Sequence, residues 1–581
     1  MHERLVGTLL LTRYGAEVLS DHKQVNENIA VAPRYLKGAT DGDKVIVEII
    51  HPATNRRPPM GKIVEVLGRG GDNDTEMHAI LAEYGLPYKY PAAAEQEAEE
   101  IDADISTQEI YRRRDMRDVL TLTIDPSDAK DFDDALSFRR TGEDEYEIGV
   151  HIADVTHYVS PGTPLDNEAY NRATSVYLVD RTIPMLPERL CNNLCSLRPN
   201  EDKLTMSVVF AMDSKAKVLK HKICRTIIRS DARLDYEQAQ EIIDRLKVKG
   251  ERSEENQLED AICELNRLAG ILREERFRHG GIEFEREEIK VQVDEKGRPT
   301  GFQLQESTPS HHLIEEFMLL ANRTVAQQLS GSNKEVVYRV HDVPDPDKVE
   351  ALSKFVNKFG YSMHLPKKDQ KNENGTKGAT KAIKHLLEQS TGTPEQELIH
   401  TLAVRAMPKA VYSTHNIGHY GLAFPFYTHF TSPIRRYPDM MVHRLVAKYL
   451  LSGKQQSTMG DLEEACRHCS DREQLAVAAE RASVKYKQAE WMEQHIGEAF
   501  DGIVSGVTEY GVYVQLTDSH CEGLLHMREL GTEAYWSYNE DEYCIINDHT
   551  GERLTLGDKI RVEVIRADAL QRRIDFKRSL R

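Results

Sequence analysis

Five aspartates, Asp125, Asp128, Asp131, Asp133 and Asp134, stand within ten residues in the stretch "TIDPSDAKDFDDALS". Two uncompensated carboxylates about 4 Å apart repel by roughly 4 kcal/mol at an effective dielectric of about 20, so such a run is stable only if solvated or neutralised. It is either an exposed acidic loop or a cation site. Asp125 closes the apolar strand "TLTI" and precedes Pro126, which ends regular pairing. Asp131 and Asp133 share a face if the chain is extended there, and a turn brings in Asp134. Hard divalent cations take carboxylate oxygens and water, and phosphoryl transfer uses one or two of them to activate water and stabilise the leaving oxyanion. Phe132 and Ala135 interrupt the run as core anchors would, and Lys130 is its only neighbouring cation in sequence.

A second stretch, "GLAFPFYTHFTSPIRRYPDMMVHRL" from Gly421, is rich in side chains for phosphate. Ser432-Pro433 is a cap and first-turn signature, which sets Arg435 and Arg436 near the positive end of a helix or turn. Pro438 predicts a kink or a fresh helix start. Guanidinium forks beside free backbone N–H groups make a phosphate site; the alternative is a solvated basic pair.

These segments need elements to carry them. With 581 residues the chain exceeds a single core, so several domains are expected. From Leu5 to Leu67 it reads as short alternating strands broken at Tyr14-Gly15, Gly38 and Asp41-Gly42, which fits a five-stranded OB-fold or another small β domain. The acidic "AAAEQEAEEIDADISTQEI" predicts a solvated linker or a connector helix. Strand-like and then long helical segments follow, without clean βαβ alternation, and predict a large α+β domain. Past Glu498 a second barrel pattern appears. The expected boundaries are 1–90, 91–117, 118–496 and 497–581.

Composition is that of an ordinary globular protein, with 40% apolar and 29% charged residues and no run of eighteen apolar ones, so a membrane protein is not expected. The opening "MHERLVGTLLLTRYG" does not suit a signal peptide, and the cytoplasm is the expected address. Eight irregularly spaced cysteines read as reduced thiols. Cys466 and Cys469 have the gap of a zinc knuckle but lie in a helical pattern, where ordinary helix residues are the alternative. The segment "PKKDQKNENGTKGATKA" reads as a lysine-rich surface loop. A net charge of −19 opposes long-range attraction of nucleic acid, but a single-strand channel needs only a lined groove.

Taken together, "TIDPSDAKDFDDALS", "VHIADVTHYV", "TSVYLVDRTIPMLPERL", "VYRVHDVPDP" and "YTHFTSPIRRYPDMMVHRL" resemble the catalytic RNB domain of the ribonuclease II and ribonuclease R family, most closely its ribonuclease R branch. The resemblance covers almost the whole chain. It implies a multidomain protein whose α+β RNB domain is flanked by all-β OB-fold barrels, cold-shock-like at the N-terminus and S1-like at the C-terminus. The implied activity is processive 3′-to-5′ hydrolysis of single-stranded RNA to nucleoside 5′-monophosphates by a monomer. A stalling, ribonuclease II-like enzyme and a non-cleaving RNA binder are the alternatives.

The cofactor implied is Mg2+, one or two ions, with Mn2+ as a substitute. Asp125, Asp131, Asp133 and Asp134 match the metal-holding quartet, with Asp133 also catalytic, while Asp128 matches no role. Arg435 matches the arginine that stabilises charge on the scissile phosphate, and Tyr177 the aromatic that stacks on the terminal bases. Phe284 matches a second clamp, Arg436 a further RNA contact, and Tyr510, Tyr513 and His526 the RNA-facing side of the S1-like barrel. Arg13 and Tyr14 of the first barrel are candidates of the same kind. His151 and Asp154 are either orienting residues behind the ligands or packed structural residues, and Glu480 and Arg481 are further candidates. The resemblance leads one to expect a further cold-shock domain and a helix-turn-helix-like segment ahead of the first barrel and a basic tail after "DFKRSLR"; a natural short form and a trimmed piece of a longer chain are the alternatives.

Overall fold

The computed structural model describes residues 4–13, 15–21, 27–54, 57–249, 256–282, 288–331, 334–363, 365, 373–393, 396–451, 461–531, 535–539 and 544–579. Phe284 and Tyr14 lie outside them.

Alternating apolar residues build the first barrel. Strands β1 (Arg4–Thr12), β2 (Gly15–Ser20), β3 (Ile29–Val31), β4 (Asp43–His51) and β5 (Met60–Arg69) close in the order β1-β2-β3-β5-β4. Leu9, Val18, Ile29, Val45 and Val47 fill the interior. The helix α1 (Asn73–Glu83) leaves this barrel and buries Met77, Ile80 and Leu81. The acidic stretch then forms the connector helix α2 (Ala92–Glu100), which is docked and not solvated throughout. Ala94 and Ala98 are buried, and Arg189 donates to the Ala98 and Ile101 carbonyls at its end.

The central domain is built on a seven-stranded sheet. In chain order its strands are β6 (Arg114–Asp115), β7 (Thr121–Asp125), β8 (Asp134–Arg140) and β9 (Glu145–Ala153), then, after the short hairpin β10 (Val176–Tyr177) and β11 (Thr182–Ile183), β12 (Asp202–Asp213), β13 (Val218–Arg229) and β14 (Ala232–Asp235). The order across the sheet is β14-β7-β8-β9-β12-β13-β6, antiparallel except at the two edges, where β14 runs parallel to β7 and β6 to β13. Helix α3 (Pro309–Leu329) packs on β9 and on α4 (Tyr437–Tyr449), which gives one core of sheet and helices. The segment read as a lysine-rich loop is different from Glu373 onward: Glu373–Ser390 is a helix whose Ile383, Leu386 and Leu387 fall on one buried face.

Helix α5 (Leu462–Glu493) ties the parts together. Cys466 and Cys469, near its N-terminus, are buried in the central core, and burial pushes their thiols up, away from the thiolate that a metal would need. Further along, Ala479, Ala482 and Met492 share a second core with α1 and the C-terminal barrel. That barrel is closed by Ala499–Thr508, Gly511–Leu516, Glu522–His526, Lys559–Asp568 and Arg573–Arg578. All eight cysteines are free, and among the described residues no helix is long and apolar enough to cross a membrane.

Candidate active site

The aspartate run is a loop between two neighbouring strands. Asp125 is the last residue of β7 and Asp134 the first of β8, so strand pairing brings the ends of the run side by side. Phe132 is buried and holds the loop down. Its N–H donates to Ser196 Oγ at 3.0 Å, its carbonyl accepts from Leu197, and the Ser196 hydroxyl donates to the Lys130 carbonyl. Asp128 falls outside this arrangement; its side chain is 71% exposed and faces Lys290.

The charge opposite the aspartates comes from far along the chain, while Lys130 is exposed. Asp133, fully buried, accepts the Ile434 N–H at 2.8 Å through Oδ1, and its Oδ2 lies 3.6 Å from Arg435 Nε. Arg435 in turn donates to Ser432 Oγ at 3.0 Å and keeps its side chain 40% exposed. The segment Ser432–Arg436 precedes α4, in which Tyr437 is the first helical residue and Pro438 sits in the first turn. Asp439 fixes this turn: Oδ1 accepts both the Ser432 N–H and an Arg436 N–H, each at 2.8 Å. Arg436 is therefore drawn onto Asp439 and keeps its side chain 17% exposed, against 40% for Arg435.

Burial dominates the electrostatics. It pushes Asp125 up to about 8, helped by the nearby Asp134 and opposed by Arg233. It pushes Asp134 up to about 6 against the pull of Arg435 and Arg436. Asp131 and Asp133 are raised too, by burial first, with Arg435 opposing in both cases. Asp125 Oδ2 is buried with no hydrogen-bond partner. Four carboxylates short of positive charge, one with an orphaned oxygen, are a donor set that fits a hard divalent cation. Among the described residues, no group of three or more His, Cys, Asp or Glu side chains is arranged as it stands to hold a metal ion.

Tyr177 belongs to the same pit. Backbone bonds from Ser175 to the Arg435 carbonyl and from Tyr437 to the Ala173 carbonyl zip its strand to the arginine loop. Its ring is 40% exposed, and burial of the phenol, with Arg435 opposing, pushes it up to about 12. Two residues that sequence spacing did not disclose also face the aspartates. Arg233 donates to the Pro126 and Ser127 carbonyls and lies over the Phe132 ring, and Tyr236 senses Asp134 and Asp125. Both follow from β14 pairing with β7, which aligns Asp235 with Asp125; only that register, absent from local spacing, could have pointed to them.

Other candidates lie elsewhere. His151 is fully buried, bridging Ser207 and Ser137 at 2.8 Å on either side, and burial lowers it to about 3. Asp154 is a buried ion-pair partner of Arg113 at 2.8 Å. His151 lies within β9, and Asp154 follows directly after that strand. Glu480 and Arg481 are exposed on α5, one turn from Ser483, which accepts the Val179 N–H beyond Tyr177. Tyr510, Tyr513 and His526 line a groove of about 1160 Å³, with Lys348, Arg405 and Lys485 among its other walls. Tyr510 is 66% and Tyr513 39% exposed. Arg13 is exposed on the first barrel and is not among the residues lining this groove.

A barrel, an acidic pit on a mixed sheet and a second barrel with exposed aromatics define a nucleic-acid enzyme. Comparison with known families matches an RNB domain over residues 113–452, a cold shock domain over 18–91 and an S1 RNA binding domain over 493–579. Ribonuclease R of Aquifex aeolicus is 38% identical over 561 residues, 96% of this chain and 77% of that protein. RNase R of Mycoplasma genitalium, solved in complex with ribose-methylated single-stranded RNA, superposes with a TM-score of 0.91 at 24% identity, covering 100% of this chain and 90% of that one. Yeast Ssd1, described as a pseudonuclease, has the same fold at a TM-score of 0.69 and 20% identity, covering 94% of this chain and 67% of that one. The chain belongs to the RNB family, in its ribonuclease R branch, and is a 3′-to-5′ exoribonuclease whose partner is RNA.

Proposed function

We propose that the enzyme degrades single-stranded RNA processively from its 3′ end to nucleoside 5′-monophosphates, with Mg2+, one or two ions, as cofactor and Mn2+ able to replace it. Asp125, Asp131, Asp133 and Asp134 would hold the metal, which would supply an activated water and charge for the departing oxygen. Arg435 reaches out of the pit as a fork for the oxygens of the scissile phosphate. Tyr177 stacks on a terminal base, an interaction every base offers and worth about 1–3 kcal/mol. Water oxygen adds to phosphorus, the P–O3′ bond breaks, the new 3′ oxygen takes up a proton, and the 5′-monophosphate leaves. The groove beside Tyr510, Tyr513 and His526 guides the strand. A monomer in the cytoplasm, with reduced thiols, is the setting we infer.

The observation that carries this reading is the junction at Asp133, one buried carboxylate held by the Ile434 amide and facing Arg435, while Asp125 beside it keeps a buried oxygen without a hydrogen-bond partner. Because the fold also occurs in a protein described as a pseudonuclease, activity must rest on those side chains. The test is digestion of a 5′-labelled single strand with Mg2+ or with a chelator. Stepwise shortening from the 3′ end, 5′-monophosphates and full arrest by the chelator are expected; internal cuts or 3′-phosphate products would refute the reading.

A further inference from the structure

The hairpin that carries Tyr177 is too short to hold itself. Its ladder consists of two pairs, Val176↔Ile183 and Tyr177↔Thr182, and a two-stranded hairpin gains its position from what it packs against. Val176 and Leu178, on either side of Tyr177, are buried in the core that α1 shares with α5. At the hairpin tip, Asn73 Nδ2 donates to Asp180 Oδ2 at 2.6 Å, and Arg181 pairs with both Asp180 and Asp74. Asn73 and Asp74 are the first two residues of α1, the helix that leaves the N-terminal barrel. Asp180 is nearly buried; burial opposes its charge, but Arg181 and Asn73 outweigh that and hold the carboxyl below its ordinary range. The Asn73 amide is boxed in from a third side, since a Cβ on Gly297 would come within 2.3 Å of it.

We propose that Asn73 and Asp74, acting through Asp180 and Arg181, are positioning residues for the Tyr177 ring and thereby set the shortest RNA that the enzyme retains. The inference rests on the reading of Tyr177 as a stacking clamp. A long RNA is held at many points, so a shifted ring goes unnoticed; a short one has few contacts left, and loss of one stack releases it. The N-terminal barrel thus influences the last cycles of degradation without touching the reacting atoms.

The test uses the full chain and a 5′-labelled single-stranded homopolymer, reading the ladder of end products and the initial turnover on long RNA. Asn73→Asp sets two carboxylates against each other and opens the latch; adding Asp180→Asn restores an amide-to-carboxylate hydrogen bond with the partners exchanged. Asn73→Asp is expected to lengthen the end products, raising release of the longer fragments about fivefold, the smaller end of one lost base–aromatic stack, with turnover on long RNA unchanged. The double variant should return the original ladder, which a merely destabilised protein would not do. An unaltered ladder in Asn73→Asp, or no rescue in the double variant, overturns the proposal if Tyr177→Ala itself lengthens the products. An unaltered ladder in Tyr177→Ala overturns the clamp reading, and this inference with it.

Discussion

Ile434 and Asp133 are 301 residues apart and share a 2.8 Å hydrogen bond. The aspartates were legible as a local crowd because their spacing is odd enough to demand an explanation, but the groups that face them were not, since no local pattern states which distant loop closes on them. The Ser432-Pro433 signature points to Arg435 and Arg436 alike and the family motif adds the role of Arg435, but neither says how each side chain is held. The same motif carries Asp439, three residues beyond Arg436, onto which Arg436 is drawn. His151 shows a different limit, because a histidine on a strand beside acidic residues reads equally as a functional or a packed group. The structure makes it a neutral bridge between Ser207 and Ser137. Its folded pKa lies near 3 against 6.5 for the free side chain, so the unfolded chain binds the extra proton and stability is lost as pH falls below 6.5. In chemical denaturation at pH 6 to 4, His151→Gln should flatten the dependence of stability on pH by about 1.4 kcal/mol per unit. An unchanged slope would show that His151 is not the buried proton-excluding group.

At the level of elements, β-branched alternation announced the barrels, and long helical segments were legible in the central domain, where Leu313, Phe317, Leu320 and Val325 fall at near-helical spacing along α3. What stayed hidden were features fixed by tertiary contact. The helix Glu373–Ser390 begins in a polar, glycine-containing stretch that reads as loop until Ile383, Leu386 and Leu387 are seen to share a buried face. The docking of α2 likewise depends on Arg189, far along the chain. The strand β9 shows how tightly the sheet behind the aspartates is specified. A Cβ at Gly149 would stand 2.3 Å from His151 Nε2 and 2.4 Å from Ser137 Oγ, so the bridge across β8, β9 and β12 exists only because that position is bare. Gly149→Ala should cost about 1–3 kcal/mol, the range for an overpacked interior, read as a lowered melting temperature. Unchanged melting would mean that the bridge is slack.

For the molecule as a whole, the net charge of −19 and the RNA partner are reconciled by placement. Carboxylates crowd the pit and the connector helix, while Lys348, Arg405 and Lys485 share a groove with Tyr510, Tyr513 and His526. On the proposed reading, stacking and local charge in that groove, not long-range attraction, would hold the strand. Replacing Tyr510 and Tyr513 together by alanine should weaken single-strand binding by at least about tenfold, judged from one to three kcal/mol per stack. The rate at saturating RNA should stay the same, and an unchanged Kd would remove this face from the RNA path. Domain order could be read from sequence, whereas the joint at α5, where the N-terminal helix α1, the Tyr177 hairpin and the C-terminal barrel meet in one core, became visible only in three dimensions. All of this serves the pit at Asp133, and the most direct test is to measure cleavage and RNA binding side by side in Asp133→Asn. That substitution keeps the oxygen that accepts the Ile434 amide and removes the charge. The account predicts that cleavage falls by about a thousandfold or more, as for loss of a principal transition-state contact, with RNA affinity within about twofold of the original. Cleavage that survives, or affinity that collapses in step with it, would contradict the account.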